Sequence, residues 1–424
     1  MSWVTRDKNV VWHPFTPLED VDDPLMITGA EGVYLHTSDG RKIIDAVSSW
    51  WVNLHGHSHP YIAKKVSEQV ARLEHVIFAG FTHQPAIELA ENLLSVLPEN
   101  QSKIFYSDNG STAVEVALKM AFQYWYNQGF EKKRVIAIDG AYHGDTFGSM
   151  SVGERGDFTR PFMPFLFDVD YIDFPYVDNQ HEVLHQFETW VSRGDVAAFI
   201  FEPLVQGASG MRIYDGQFLD RLISISKEYD VLCIADEVMT GFGRTGELFA
   251  SDHLKNKPDI LCLSKGLTGG TMALGVTSCT EQIVEAYRSP HLTKAFLHGH
   301  SFTANPIACA AANASFELLM KDECKQAIQR ISNSQSRFVD RNRARPNLKD
   351  IRSMGTITAL EFETENDSSY FSEMRNTLYP FFLSRNILLR PLGNLIYVLP
   401  PYVITAEQLG QVHAAIEEFL DTCP

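Results

Sequence analysis

The sequence lacks the two kinds of segment that carry a chain to or through a membrane. Its first residues contain no basic stretch followed by an apolar run, which a secretory signal peptide requires. No uninterrupted apolar stretch approaches the roughly 18 residues that a transmembrane helix needs. There is also no Cys-x-x-Cys pair among the six cysteines, and most of them lie in apolar runs, where a free thiol behaves as a small hydrophobic group. We therefore expect a cytoplasmic protein without a membrane partner.

Positive charge is scarce in this chain. It has 36 lysines and arginines against 53 aspartates and glutamates, which gives a formal net charge of −17. This balance favours solubility and argues against a nucleic acid or an anionic membrane as partner. A Gly-x-Gly-x-x-Gly motif after the first strand is lacking as well, which argues against a dinucleotide-dependent dehydrogenase. The composition, with 45% apolar and 21% charged residues, is typical of a globular protein.

The length of 424 residues exceeds one ordinary domain. The opening segment is irregular, with prolines that indicate loops and short strands. From residue 60 onwards helix-like and strand-like segments alternate, whereas the last part has two long helical patterns, short strands and a final helix. We predict a large cofactor-binding domain over 60–310 and a small α+β domain that combines 311–424 with 1–59.

Three strand-like runs, VIAID, AAFIFE and VLCIADE, are apolar almost throughout. This pattern is typical of strands buried on both faces of a mainly parallel sheet with helices crossing over it, and it predicts an α/β fold. Ligands bind at the carboxyl ends of such strands. Because each run ends in an acidic residue, we expect the chemistry at that edge, near Asp139, Glu202 and Asp236.

Asp236 and Lys265 carry the strongest chemical signal. Each follows an apolar strand, and Lys265 enters a glycine-rich turn. Alone, the aspartate is equally well explained as a helix cap or a structural ion pair, and an isolated lysine is usually a solvated surface charge. A desolvated lysine has a lowered pKa and becomes a nucleophile. Together the pair meets the needs of pyridoxal 5'-phosphate (PLP), which requires a Schiff-base lysine and an acid near its pyridinium nitrogen.

Two further segments are weaker signals. Gly110 and Ser111 open an amphipathic helix whose N-terminal N–H groups could bind a phosphate, although an ordinary capping box formed by Thr112 and Glu115 explains the same residues. Tyr142 follows a strand and could stack on a flat cofactor ring, or it could be an ordinary half-buried tyrosine. The histidines at 55, 57 and 59 resemble a metal tract, but histidines in a turn near a proline favour a structural role, so we expect no metal site.

At this point the sequence resembles a known family. The stretch IADEVMTGFGRTG (234–246), followed by DILCLSKGLTGG (259–270), is similar to the long and specific signature of class III aminotransferases. GSTAVE, AYHGD and GHSFTANP occur in the same order, so the resemblance covers nearly the whole chain. It implies the type I fold of PLP-dependent transferases, PLP as cofactor and a homodimer with shared active sites.

Within that family the chain resembles the aminotransferases of biotin biosynthesis, which convert 8-amino-7-oxononanoate into 7,8-diaminononanoate. The runs WHPFT (12–16), SSWW (48–51) and LRPLG (389–393) carry this finer likeness. It implies that Lys265 binds the cofactor and transfers the proton, that Asp236 pairs with the ring nitrogen and that Tyr142 covers the ring. It also implies that the phosphate is bound by Gly110 and Ser111 and by His300 and Ser301 of a second subunit. The substrate contacts that it implies come from Phe15, Trp50, Trp51, Tyr142, Gly299 and Arg390.

Two departures from the family pattern leave the amino donor open. Phe15 stands where many members have tyrosine, and His300-Ser301 stands where many have Pro-Thr. Both S-adenosylmethionine, the usual donor of these relatives, and lysine remain candidates. Other class III aminotransferases, which act on ornithine, 4-aminobutyrate or ω-amino acids, are the main alternative. A PLP-dependent racemase or decarboxylase and a non-catalytic scaffold with this fold are more distant ones.

Overall fold

The N-terminal part of the chain forms a small antiparallel sheet and one unusual turn. The computed structural model describes residues 1–363 and 374–422. An exposed helix comes first, and three short strands then pair in order. A single left-handed turn follows them, which we label α2. The elements are α1 (Trp3–Val10), β1 (Ile27–Glu31), β2 (Tyr34–Thr37), β3 (Lys42–Asp45) and α2 (Ser48–Trp51).

The central part alternates strands and helices, as the sequence predicts. Its elements are α3 (Pro60–Arg72), α4 (Gln84–Leu94), β4 (Gln101–Ser107), α5 (Gly110–Asn127), β5 (Arg134–Ile138), α6 (Phe147–Ser151), β6 (Asp170–Ile172), α7 (Gln180–Val191), β7 (Val196–Phe201), β8 (Val205–Gln206), β9 (Arg212–Ile213), α8 (Gly216–Glu228), β10 (Leu232–Asp236), β11 (Ile260–Leu263), β12 (Gly275–Thr280) and α9 (Glu281–Tyr287).

Seven of these strands form one sheet in the order β4-β12-β11-β10-β7-β5-β6. Strand β12 pairs antiparallel with both of its neighbours, and the four pairs between β11 and β6 are parallel. All six residues of β7 and all five of β10 are buried, because helices cover both faces of the sheet. The predicted α/β fold with a mainly parallel sheet is confirmed.

The C-terminal part returns to the N-terminal strands. Its elements are α10 (Pro306–Leu319), α11 (Asp322–Asn342), β13 (Leu348–Met354), β14 (Ile357–Phe362), α12 (Met374–Ser384), β15 (Ile387–Leu388), β16 (Leu395–Val398) and α13 (Ala406–Thr422). Strands β13, β14 and β16 form a separate sheet, whereas β15 pairs in parallel with β3. This pairing supports the expectation that the two ends of the chain share one unit.

The exact division into domains stays a prediction. A boundary after residue 310 would cut α10, a continuous helix that packs on α3 and α4. Ala311 and Ala314 of this helix bury their side chains against Ile62 of α3. We therefore propose that the C-terminal unit begins after α10 rather than at residue 311.

The structure also describes the helices, as possible membrane spans, and the cysteines. Within residues 1–363 and 374–422, no helix has both the length and the apolarity to cross a membrane. The five cysteines in this part of the chain are free thiols, and four of them are buried. Burial raises the pKa of the Cys309 thiol to about 12, so this thiol stays protonated and unreactive near neutral pH. Cys423 lies outside the described residues.

The packing of the central sheet leads to a stability prediction. The ring of Phe199 is fully buried, with its centroid 4.9 Å from those of Phe187 and Phe201. We expect Phe199→Ala to lower the free energy of unfolding by about 3–5 kcal/mol, because it removes apolar contacts and leaves a cavity. The control is Tyr126→Ala on α5, whose residue is 76% exposed. Chemical denaturation checks both, and equal losses would contradict this view of the core.

Candidate active site

A cavity of about 600 Å³ opens at the carboxyl ends of the central strands. Its wall combines the end of β10, the turn after β11, the start of α5 and the loop after β5. The sequence placed the chemistry at this edge of the sheet. Of the predicted site residues, the cavity wall contains Trp51, Gly110, Ser111, Tyr142, Asp236 and Lys265.

Asp236 forms a buried pair with His143. The aspartate Oδ2 lies 2.7 Å from His143 Nδ1, and its Oδ1 accepts a hydrogen bond from Val238 N at 3.1 Å. Both side chains are almost fully buried. Within the part of the chain that the structure describes, His143 Nε2 has no hydrogen-bond partner. The sequence analysis quoted His143 only as part of a motif, and the structure brings it into contact with the predicted acid.

Lys265 follows β11 after one residue, Ser264, and has a left-handed backbone, with φ of 48°. Its Nζ lies 4.3 Å from the centre of the Trp51 ring. Burial lowers the pKa of the Lys265 amine from its usual value to about 8, although the nearby carboxylates of Asp236 and Glu202 act in the opposite direction. A larger share of this amine is therefore neutral near pH 7 to 8 than of a solvated lysine, as a nucleophilic lysine requires.

Glu202 belongs to the site, although the sequence analysis named it only as an acidic strand end and assigned it no role. Its Oε1 accepts a hydrogen bond from Tyr142 N at 3.0 Å, and its Oε2 accepts one from Gly207 N at 2.8 Å. Burial raises the pKa of this carboxyl to about 7, against the opposing effect of His143. The available signal was its position at the end of an apolar strand, which it shares with Asp236.

Asp139, the third acidic residue at a strand end, does not belong to the cavity wall. Its side chain is exposed, and its main-chain oxygen accepts hydrogen bonds from Gln206 and Arg212. The expectation of chemistry at Asp139 was therefore wrong. The physical reason is strand order, because β5 lies beyond β7 and is separated by two strands from β11, which delivers Lys265.

The start of α5 has the form of an anion site. Asn109, not Thr112 with Glu115, makes the capping box, because Asn109 Oδ1 accepts from Thr112 N and Thr112 Oγ1 accepts from Asn109 N. The preceding N–H groups, at Gly110 and Ser111, lie at the cavity wall. Gly144 approaches from the opposite side. A Cβ on Gly144 would lie 2.0 Å from Ser111 Oγ, so only glycine fits there.

Arg390 and two aromatic residues form a cluster outside the cavity wall. The Arg390 guanidinium carbon lies 4.2 Å from the centre of the Trp50 ring, a cation–π contact. The Phe15 ring meets the same indole edge-on, at 5.7 Å between centroids. Trp51, the next residue, points the other way, is buried and lines the cavity. Of the six predicted substrate residues, Trp51 and Tyr142 therefore line the cavity, Phe15, Trp50 and Arg390 form this cluster, and Gly299 belongs to neither group.

Trp50 and Trp51 owe their opposite directions to α2. All four residues of α2 have positive φ values between 47° and 81°, although none is glycine. For L-residues a left-handed backbone costs on the order of 1–2 kcal/mol each. Such a turn persists only where the surrounding contacts compensate for the strain.

The loop at 299–301 does not line the cavity of its own chain. Gly299 and Ser301 are exposed. His300 Nδ1 lies 3.3 Å from Asp108 Oδ1, beside the start of α5. The loop is therefore close to the candidate anion site, but its polar groups do not face this site from within the same subunit.

Two histidines of the tract near residue 57 have structural partners. His57 Nε2 lies 2.9 Å from Asp45 Oδ2, and His55 Nε2 lies 3.1 Å from Ser315 Oγ. Burial lowers the pKa of His55 to about 3, so this ring is neutral. Among the described residues no group of three His, Cys, Asp or Glu side chains could hold a metal ion.

Comparison with known proteins decides the family. The model of the aminotransferase class-III family matches residues 18–420. The chain belongs to the class III aminotransferases. The adenosylmethionine-8-amino-7-oxononanoate aminotransferase of Synechococcus elongatus is 46% identical over 419 residues, which are 97% of this chain and 98% of that relative. The enzyme of the same name from Geobacter sulfurreducens is 37% identical over 98% of this chain and 96% of its own.

Solved structures of class III aminotransferases have the same fold. The adenosylmethionine-8-amino-7-oxononanoate aminotransferase of Methanocaldococcus jannaschii superimposes with a TM-score of 0.92, at 33% identity and 98% coverage of both chains. An amine transaminase from an uncultivated Pseudomonas species, solved in its PLP-bound form, has a TM-score of 0.90 and 27% identity. It covers 98% of this chain and 99% of its own. The predicted type I fold of PLP-dependent transferases is confirmed.

PLP is the cofactor of this family, and the cavity fits it. The buried carboxylate of Asp236 suits a protonated ring nitrogen, and the Lys265 amine suits an aldehyde. The N–H groups of Gly110 and Ser111 at the start of α5 lie at the cavity wall, where they suit the phosphate group. The prediction of a PLP-dependent aminotransferase is therefore confirmed by the family and agrees with this chemistry.

The charges around Lys265 lead to a prediction for Glu202. Near pH 8 the Glu202 carboxylate favours the protonated amine, so we expect Glu202→Gln to lower the pKa of Lys265 further below its value of about 8. An NMR titration of ¹³C-methylated lysines in the cofactor-free protein measures this pKa. The control is Glu154→Gln, an exposed residue near Asp139 whose carboxyl pKa is also raised but which does not line the cavity. An unchanged or raised pKa in Glu202→Gln would contradict the electrostatic argument.

Proposed function

We propose that this enzyme transfers an amino group to the ketone of 8-amino-7-oxononanoate and so forms 7,8-diaminononanoate for biotin biosynthesis. The observation that carries this proposal is the near-full-length similarity to relatives that share one name, at 34% to 46% identity. The cluster of Trp50 and Arg390 supports it, because the acceptor ends in a carboxylate and a guanidinium binds a carboxylate with two parallel hydrogen bonds.

Lys265 is the proposed catalytic residue. When bound, PLP supplies an electron sink for the carbon that loses its proton. The Lys265 Nζ provides the attachment point and then carries the proton between substrate and cofactor carbons. Its lowered pKa of about 8 suits both tasks, because the amine can gain and lose a proton near neutral pH. Asp236, held by His143 and Val238 N, would present its carboxyl group to the ring nitrogen of the cofactor.

The proposed phosphate site combines two subunits. Gly110 and Ser111 offer the N-terminus of α5, which favours an anion. We propose that Gly299, His300 and Ser301 of a second copy complete it, with the Ser301 hydroxyl donating to the phosphate. The exposure of Gly299 and Ser301 and their absence from the cavity wall of their own chain support this homodimer with shared active sites.

Tyr142 is proposed to cover the cofactor ring. It lines the cavity and is 38% exposed, and Glu202 fixes its main-chain position through the N–H group. Burial and the neighbouring Asp145 raise the pKa of its hydroxyl. The hydroxyl therefore stays protonated at neutral pH and can donate a hydrogen bond to a substrate. Phe15 and Trp51 would close the substrate site from the side of the small sheet.

We propose S-adenosylmethionine as the amino donor, because the names of the relatives specify it. Lysine is the alternative, since Phe15 lacks the hydroxyl that many family members have there. We also propose a cytoplasmic location. Free thiols and a biosynthetic reaction fit a reducing compartment.

Half-reactions test the proposed function. The PLP form is mixed with S-adenosylmethionine, or separately with lysine, and the loss of the cofactor's visible absorption band is followed. Addition of 8-amino-7-oxononanoate should restore the band and yield 7,8-diaminononanoate. Lys265→Ala should lose turnover by several orders of magnitude, because no other amine takes over the proton transfer. Restoration of the band by the aldehydes that correspond to ornithine or 4-aminobutyrate, and not by 8-amino-7-oxononanoate, would overturn the assignment in favour of another class III aminotransferase.

The close approach of Gly144 to Ser111 leads to a prediction for cofactor binding. Gly144→Ala should weaken PLP binding by about tenfold or more, because the added Cβ must displace Ser111 from the proposed phosphate site. Gly129→Ala is the control, since Gly129 also has a positive φ, of 83°, but no atom within 4 Å of an added Cβ. Equilibrium titration with PLP measures both. Equal affinities in the two variants would argue against a phosphate at Ser111.

A further inference from the structure

Asp45, at the end of β3, is a fully buried carboxylate outside the cavity wall. Its Oδ1 accepts hydrogen bonds from Val47 N at 3.2 Å and Ser49 N at 2.9 Å. Its Oδ2 accepts from Ser49 Oγ at 2.7 Å and lies 2.9 Å from His57 Nε2. A buried carboxylate with four donors is stable only while all of them stay in place.

Three of these four donors belong to α2 or to the residue before it. The left-handed backbone of α2 finds no support in its own sequence, because serine and tryptophan do not favour positive φ. Two further side-chain hydrogen bonds hold the turn, from Ser48 Oγ to Leu399 O at 2.7 Å and from Arg244 Nη2 to Trp51 O at 3.3 Å, whereas Asp45 accepts three. Asp45 is thus the principal side chain that compensates for the strain at the start of α2.

The contacts of α2 connect this turn to both parts of the proposed site. The Arg390 guanidinium lies over the Trp50 ring, 4.2 Å from its centre. Trp51 covers the Lys265 amine, at 4.3 Å. If the turn relaxed into the ordinary right-handed or extended conformation, neither indole could keep its place, because the side-chain directions of successive residues depend on the backbone dihedrals.

We propose that Asp45 is a positioning residue of this aminotransferase, which holds α2 in its left-handed conformation and thereby places Trp50 against Arg390 and Trp51 against Lys265. The inference rests on the proposed roles of Arg390 and Lys265. It assigns no contact between Asp45 and substrate or cofactor.

The hydrogen-bond pattern explains why a carboxylate is needed at this position. Asn53 Nδ2 lies 3.2 Å from His57 Nδ1 and donates to it, so the ring hydrogen is on Nε2 and points to Asp45. Both carboxylate oxygens therefore accept two hydrogen bonds each. Asparagine has the same shape but presents an NH₂ group to two of these four donors. Asp45→Asn is the sharpest test because it changes chemistry and not volume.

The first measurement is the binding of nonanoate, an unreactive nine-carbon acid, to the PLP form by calorimetry. We expect Asp45→Asn to raise the dissociation constant by about tenfold, the size of one lost charge-assisted contact. Ser49→Ala, which removes a single donor from Asp45, should shift it in the same direction but less. This milder variant keeps the test valid if Asp45→Asn does not fold.

The matched control is Asp259→Asn. Asp259 is a partly buried aspartate beside a strand of the central sheet, and its carboxylate accepts from Cys233 N at the amino ends of the strands, away from the cavity. We expect this variant to lose stability without a change in nonanoate affinity. Trp50→Ala adds a double-mutant cycle. If Asp45 acts through Trp50, then Asp45→Asn has little further effect on nonanoate affinity in the Trp50→Ala background. If the two sites are independent, the factors by which the two substitutions raise the dissociation constant multiply.

The second measurement is the pKa of Lys265 in the cofactor-free protein, by the ¹³C-methyl titration described above. The charged groups that face this amine are Asp236, Glu202 and Arg244. Because burial dominates the lowered pKa, loss of the Trp51 cover should raise it from about 8 towards the usual lysine value. Asp259→Asn should leave it unchanged. A substitution that only destabilises the fold would lower the free energy of unfolding and change neither the nonanoate affinity nor the pKa of Lys265.

The outcomes separate the inference from the proposed function. Wild-type protein that does not bind nonanoate contradicts the role of Arg390, and the Lys265 titration alone then decides the role of Asp45. The Asp45 inference is overturned, and the proposed function stays intact, if the wild-type protein binds nonanoate and Asp45→Asn matches Asp259→Asn in both measurements.

Discussion

The structure depends on the burial of one amine beside two carboxylates. Removing Lys265 from water disfavours its charged form, and Asp236 and Glu202 oppose this effect without cancelling it. Asp236 in turn disfavours the charged form of Glu202 and so helps to raise the pKa of Glu202. His143 acts in the opposite direction. The carboxyl ends of three neighbouring strands are the place where the chain can bring these groups together and still bury the strands that carry them.

Much of this arrangement could be predicted from the sequence, because it follows from local patterns. The continuous apolar runs that end in acidic residues predict buried parallel strands, and the glycine-rich turn after such a run predicts a confined Lys265. Strand order is not a local pattern. The sequence therefore treated Asp139, Glu202 and Asp236 as equivalent, whereas the order of the sheet leaves Asp139 exposed and outside the cavity wall.

The contacts that the sequence did not reveal are long-range hydrogen bonds. Glu202 reaches the main chain of Tyr142, and His143 reaches Asp236, across 60 and 93 residues of sequence. The backbone of α2 was equally unpredictable, because Ser-Ser-Trp-Trp contains no glycine or asparagine to indicate positive φ. Its conformation is imposed from outside the segment. The roles proposed for Gly299, His300 and Ser301 depend on a second subunit and stay a prediction.

The pairing of β3 with β15 affects the order in which the parts of the site form during synthesis. Trp50 and Arg390 belong to opposite ends of the chain, and Ser48 is anchored to Leu399. During synthesis the central sheet and its lysine can form while the last strands are still inside the ribosome. The carboxylate-binding cluster forms only after the C-terminal segment has emerged. The part of the site that is proposed to bind an acid therefore depends on contacts between the two ends of the chain.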